Sequence, residues 1–235
     1  MNRTLKALSA LLTYPTAELQ AATGEISEVL DADNLIPGRI RDQLHTLLSE
    51  LATGDLYDLQ ERYVLLFDRS RSLSLHLFEH VHGESRDRGQ AMVDLRSLYL
   101  RHGLDLDVRE LPDYLPMFLE FLAQLPDAEA REHLSEVLHI LTALRIRLTK
   151  RSSPYAGVFL ALESVAGGKP DSKALALVLA EEEDDPEDGD ALDRVWEEEQ
   201  VQFGPAGPDS GCPQVNDMLA RMAEDPASAA APAKV

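Results

Sequence analysis

Apolar positions along the first 180 residues of this chain recur at intervals of three and four. Leu44, Leu47, Leu48 and Leu51 form one such stripe, and Leu134, Val137, Leu138, Leu141, Leu144 and Leu148 form a longer one, the spacing that places side chains on one face of an α-helix. The punctuation agrees. Pro37 stands where a helix opens, Asp127 where the long stripe needs a cap, and Ser153-Pro154 pairs a capping hydroxyl with a proline suited to a first helical turn. Arg101 and His102 put positive charge against a helix C-terminus just before Gly103, which supplies the left-handed turn. No stretch alternates with a period of two between turn signals, so no strand is expected. The pattern predicts an all-α, single-domain helical bundle of nine or ten helices without internal repeats. Arg3 and Lys6 precede a short apolar stretch that Ser9 interrupts, and Tyr14-Pro15 follows, which predicts a first helix and not a cleaved leader.

Charge changes the picture at the C-terminal end. The chain has 235 residues, 22 Lys and Arg against 42 Asp and Glu, and a net charge of −20. Such a balance repels phosphate backbones, and no basic stripe offsets it, so nucleic acid is excluded as a partner. More than half of the excess sits in 181–199, which holds twelve acids and one base. Beyond it, 200–235 turns to Gly, Pro, Ala and Ser, a composition that buries too little apolar area to offset its ordering entropy. The expected organisation is a helical domain over 1–180, an acidic segment over 181–199 with room for one short helix, and a flexible tail over 200–235. The longest apolar run, Ala174–Ala180, falls far short of the ~20 residues a membrane span needs. A single cysteine, Cys212, gives no internal disulfide, and a cytoplasmic location is expected.

The densest polar chemistry lies in 67–94. His76, Glu79 and His80 spell H-x-x-E-H, the spacing with which one class of zinc hydrolase places two imidazoles and a general base on one helix. On a helical wheel running from Leu73 these three face one way. A catalytic zinc needs a third ligand, and none stands out, so the histidines are equally readable as a polar network or as part of a partner-binding surface. Cys212 has no histidine beside it, no serine occupies a G-x-S-x-G elbow, and no phosphate-binding loop is present. Recognition of another chain remains. The link Asp68-Arg69-Ser70-Arg71-Ser72 offers caps and arginines able to pair with Glu79 or Asp94. The run Glu84-Ser85-Arg86-Asp87-Arg88 opens the next helix, with Ser85 as cap. In 111–125, Met117, Phe118, Phe121, Leu122 and Leu125 make an apolar face with Glu120 opposite. A groove between the His76 helix and the Met117 helix would suit a basic amphipathic peptide.

The run from Tyr63 through Phe67-Asp68-Arg69-Ser70-Arg71-Ser72 and His76-Leu77-Phe78-Glu79-His80-Val81-His82-Gly83-Glu84 to Met92, together with Glu110-Leu111-Pro112-Asp113-Tyr114-Leu115-Pro116 and Leu119-Glu120-Phe121-Leu122, closely resembles the NarJ family. These are the delta subunits, or molybdenum cofactor assembly chaperones, of membrane-bound respiratory nitrate reductase. The resemblance covers about residues 1–180. It implies a non-catalytic chaperone of TorD-like and DmsD-like architecture with no cofactor of its own. It further implies a partner, the apo catalytic (alpha) subunit of nitrate reductase, recognised in part through an N-terminal segment that is a remnant of a twin-arginine signal. The subunit would be held until its molybdenum cofactor and an iron-sulfur cluster are inserted, before membrane docking. The residues expected to meet that partner are Tyr63, Phe67, Arg69 and Ser70, then His76, Glu79, His80, Glu84 and Arg88, and finally Met117, Glu120 and Phe121. Either a monomer or a dimer fits. Were the histidines to line the groove, their protonation near pH ~6.5 would tune affinity.

Overall fold

The computed structural model describes residues 1–33, 35–82, 86–105 and 110–180, which belong to one unit. The acidic segment 181–199, the tail 200–235 with Cys212, and Glu84 with its neighbour Ser85 lie outside the described residues. Among the described residues eleven α-helices follow one another: α1 (Asn2–Leu11), α2 (Ala17–Ala32), α3 (Gly38–Thr53), α4 (Leu56–Tyr63), α5 (Glu79–His82), α6 (Arg86–Arg101), α7 (Leu115–Leu122), α8 (Asp127–Glu136), α9 (Leu138–Lys150), α10 (Ala156–Ala166) and α11 (Ser172–Ala180). Among the described residues the β-structure consists of one isolated antiparallel bridge, His76 to Tyr114. The all-α class agrees with the sequence pattern, with one helix more than the expected range.

The two central helices are α9 and α10, which pack against each other and bury residues on nearly every side: Leu138, Ile140, Leu141, Leu144 and Leu148 from the first, Val158, Phe159, Ala161, Leu162 and Val165 from the second. Around them sit the pair α2 and α3, which packs on α1 and α10, and α7, which packs on α1. The α3 stripe of Leu44, Leu47, Leu48 and Leu51 is buried as its spacing predicts. Its approach to α10 depends on Gly157, where a Cβ would stand 3.2 Å from the Gln43 side chain and 3.3 Å from its backbone. Polar side chains fasten the joints. Ser9 Oγ donates to the Pro116 carbonyl at 2.7 Å, fixing the start of α7 on α1, and Gln20 Nε2 donates to the Leu51 and Gly54 carbonyls at the end of α3.

Several helix boundaries differ from the sequence reading. The long stripe ending at Leu148 is two helices, because Val137 adopts φ −96° and ψ 5° and breaks the hydrogen-bond ladder between α8 and α9. Asp127 is the first residue of α8 and makes no side-chain cap. Ser153 and Pro154 precede α10 and do not begin it; their carbonyls accept from the Ala156 and Gly157 amides, so the chain makes a turn before the helix starts. Gly103 takes φ +79° after Arg101 and His102, as expected.

The largest departure concerns Leu73–His82. Instead of one helix, the chain forms a short 3-10 turn (Arg71–Leu73), an extended stretch through the His76 bridge, and only then the single turn of α5. The reason is local competition. Ser70, Ser72 and Ser74 are all buried, and serines that satisfy themselves or nearby backbone groups draw a chain out of helix. The Ser70 and Ser72 hydroxyls lie 2.8 Å apart, and Ser74 Oγ accepts the His76 amide.

Candidate functional site

The polar segment after α4 is built from two pieces of chain laid side by side. α4 widens at its end into a π-helical turn, Val64–Asp68, closed by the Arg69 amide on the Val64 carbonyl at 3.0 Å. This turn sinks Tyr63 and Phe67 into an aromatic cluster with Tyr155, their rings 5.0 to 6.4 Å apart, and leaves Asp68 and Arg69 facing water. The second piece is the turn 110–114. The Leu77 amide donates to the Asp113 carbonyl at 3.0 Å and the Leu115 amide to Leu75 at 2.8 Å, which sets His76 opposite Tyr114. Tyr99 of α6 braces this turn from behind, its hydroxyl donating to the Pro112 carbonyl at 2.7 Å and its ring 4.5 Å from Phe121.

Asp113 is the keystone. Its side chain is fully buried, one carboxylate oxygen 3.2 Å from His76 Nδ1 and the other accepting the Phe78 amide at 3.0 Å. The Asp113 hydrogen bond raises the His76 pKa above the ordinary imidazole value despite partial burial. Tyr114 lies 5.4 Å from the His76 ring, and its hydroxyl is 3.2 Å from that of Tyr63, which donates in turn to the Leu12 carbonyl at 2.9 Å. Burial and the neighbouring Tyr114 push the Tyr63 phenol far above its usual range. Though exposed, Asp68 is partly desolvated by the surrounding chain, which raises its pKa against the opposing pull of His76, and Glu110 adds to the rise. The result is a face presenting Asp68, Glu110, His76 and Tyr114, continued by Glu79, whose carboxylate pairs with Arg88 at 3.2 Å.

The sequence-predicted residues divide by burial. Tyr63, Phe67, Ser70, His80 and Phe121 are inside and shape the face from below; Arg69 and Glu120 are exposed; His76, Glu79, Arg88 and Met117 are partly covered. Phe121 belongs to the core between Tyr99 and Phe118. Glu79 pairs with Arg88, where Arg69 or Arg71 was the expected partner, and Asp94 takes its hydrogen bond from Gln90. The H-x-x-E-H residues do not converge. His80 is buried with Nε2 2.8 Å from the Ser74 carbonyl, and burial lowers its pKa, while His76 Nδ1 faces Asp113 on a different stretch of chain. Among the described residues no group of His, Cys, Asp or Glu is arranged to hold a metal ion. Nor is any described helix long and apolar enough to cross a membrane.

Asp113 stands in the Glu110–Pro116 motif, and the sequence by itself assigns it no role. Nothing in its spacing from His76, 37 residues away, announces the pair. The one available signal was an acid placed among Leu111, Pro112 and Tyr114, where an unpartnered carboxylate is costly.

A family model described as nitrate reductase delta subunit matches residues 16–161. The nitrate reductase molybdenum cofactor assembly chaperone NarJ of Escherichia coli K12 is 49% identical over 207 residues, covering 87% of this chain and 85% of that one. NarW of the same strain is 45% identical over 200 residues, 85% of this chain and 83% of its own length. Among solved structures, a chain from Archaeoglobus fulgidus assigned to redox enzyme maturation superposes with a TM-score of 0.52 at 21% identity, over 69% of this chain and 91% of that one, a likeness of fold. The relative NarJ is an assembly chaperone by name. From the family match and the identity sustained over most of both chains, the chain belongs to the nitrate reductase delta subunit family.

Proposed function

We propose that this protein is the assembly chaperone of a respiratory nitrate reductase, binding its apo catalytic (alpha) subunit, including the N-terminal leader-like segment. It keeps that subunit open to insertion of the molybdenum cofactor, which is cargo for the client and not a resident group of the chaperone, and of an iron-sulfur cluster. Release precedes membrane docking. The work is done in the cytoplasm by the helical domain of about 1–180, acting as a monomer. The family membership supports the client, and the observation that carries the location is the face formed by Asp68, His76, Glu79, Glu110 and Tyr114, rigidly backed by buried Asp113.

The physics is steering followed by burial. A chain at −20 draws in a basic segment over a Debye length of roughly 8–10 Å at moderate salt. The carboxylates then fix its register while partly covered Phe78 and Met117 and exposed Leu111 and Val81 supply apolar contact. Arg69, Arg88 and Glu120 flank this surface, and the buried Tyr63, Phe67, Ser70, His80 and Phe121 hold its shape.

Calorimetric titration of the N-terminal segment of the nitrate reductase catalytic subunit into the full-length chain tests this reading. Binding is expected, weakened about tenfold by the pair Asp68→Asn and Glu110→Gln, the scale of one lost charged contact. Equal affinity in wild type and double variant contradicts the assigned face, and absence of binding contradicts the leader as ligand.

A further inference from the structure

Arg147 of α9 is fully buried, and its guanidinium reaches two segments distant in sequence. Nη1 donates to the Ser72 carbonyl at 2.7 Å and Nη2 to the Val178 carbonyl at 2.6 Å. Ser72 begins the stretch that carries His76. Val178 is the buried residue of α11, the helix that packs on α9 beyond the 16–161 family match.

α11 is lightly held. Leu177 is 73% exposed, and Val178 is the helix's one buried side chain. The helix is nonetheless organised as a unit of its own: the Asp171 carboxylate accepts the Lys173 and Ala174 amides at 2.7 and 3.0 Å, capping the N-terminus. Ahead of that cap, Gly167 and Gly168 stand at φ +71° and +80°, a conformation glycine adopts freely and other residues rarely do. A capped helix on a glycine pair with one buried anchor suits docking and undocking as a body.

We propose that Arg147 is a positioning residue that couples α11 to the His76 face. With α11 docked, the guanidinium is shared between the Val178 and Ser72 carbonyls and holds Ser72 in place. From Ser72 the restraint passes along a short bonded path: Ser74 to His80, Leu75 to Leu115, Leu77 and Phe78 to Asp113. When α11 lifts, the guanidinium loses one of its acceptors and its grip on the Ser72 carbonyl is reset, because one planar fork serves both carbonyls. The segment that displays His76 then loosens. By reciprocity, a ligand that stiffens the His76 face holds α11 down. Only this last statement rests on the face being the recognition surface.

Hydrogen exchange on the full-length chain tests the coupling. Val178→Glu, which expels the anchor, is expected to speed exchange of the Leu77, Phe78 and Leu115 amides about tenfold, the scale of one charge-assisted hydrogen bond, while amides of α2 and α3 keep their rates. Arg147→Lys, whose single ammonium lacks the fork needed to reach both carbonyls, is expected to do the same. In wild type the N-terminal peptide of the nitrate reductase catalytic subunit is expected to slow exchange across Ala176–Ala180, and in Arg147→Lys to leave it unchanged. Unchanged Leu77 and Phe78 exchange in Val178→Glu, or equal acceleration in every helix, overturns the proposal, as does a peptide that slows Leu77 and Phe78 exchange and leaves α11 exchange untouched. A wild type that binds no peptide counts against the proposed function, and the Val178→Glu result then decides the coupling alone.

Discussion

Replacing Asp113 tests the keystone of the candidate site. In Asp113→Ala two interactions vanish: the carboxylate contact with His76 Nδ1 at 3.2 Å and the acceptor for the Phe78 amide at 3.0 Å. A hydrogen bond to a charged group contributes ~1.5–3 kcal/mol, and removing one member of a buried ionic pair costs ~3–5 kcal/mol. With His76 26% exposed, the lower end applies, about 3 kcal/mol near pH 6. Asp113→Asn keeps an oxygen for the Phe78 amide and loses only the charge, at about 1–2 kcal/mol. The pH dependence separates the two contributions. The His76 pKa is raised in the folded state, so its contribution is fully present below the unfolded value of ~6.5 and is lost as pH rises through the raised folded value. The Asp113→Asn penalty is therefore larger near pH 6 than well above that folded value. His80, lowered by burial, has the opposite sign and weakens the fold as pH falls below ~6.5; the Asp113 charge opposes that lowering, so its loss in Asp113→Asn lowers His80 further and adds to the penalty at low pH. Urea unfolding monitored by circular dichroism, extrapolated to water at both pH values, measures the effect. An Asp113→Ala cost under about 1 kcal/mol, or an Asp113→Asn penalty identical at the two pH values, refutes the reasoning.

Three further outcomes follow from the geometry. Affinity for a basic leader peptide is expected to rise as pH climbs through the His76 pKa, because a neutral His76 no longer offsets Asp113 and Glu79 beside Arg88; calorimetry between about pH 6 and 8 reads it, and His76→Gln is expected to flatten the profile. Gly157→Leu is expected to destabilise the chain by about 1–3 kcal/mol in thermal unfolding, since even a Cβ there meets Gln43 at 3.2 Å. Protein purified without chelator is expected to contain no stoichiometric zinc by elemental analysis, because His76 and His80 engage Asp113 and Ser74 separately.

Helix positions were legible where burial alone decides them. The α3 stripe is a periodic signal, and periodicity needs only the local chain and a core to face. The Gly103 terminus was legible for a similar reason, since its left-handed φ is a property of that residue. The break at Val137 was not, because the apolar spacing continues across it and only the backbone angles of that residue reveal it. The H-x-x-E-H stretch misled for the opposite reason. Its wheel is helical, yet three buried serines and the pull of Asp113 hold it extended at His76. Asp113 and Arg147 act through residues 31 to 75 positions away, and a single sequence carries no mark of such pairings. The resemblance pointed to the segments, and the geometry buries Tyr63 and Phe67 and leaves Asp68 and Glu110 at the surface.

The central claim is that the carboxylate-rich face around His76 receives the client's N-terminal segment. Titrating that segment into the isotopically labelled full-length chain, and following backbone amide and His76 imidazole resonances, locates the contact directly. The account predicts shifts concentrated at Asp68, His76, Phe78, Glu79, Glu110 and Tyr114. Shifts confined to another surface, such as the recess between α1 and α2 lined by Arg3, Lys6, Ala22 and Ile26, would contradict it.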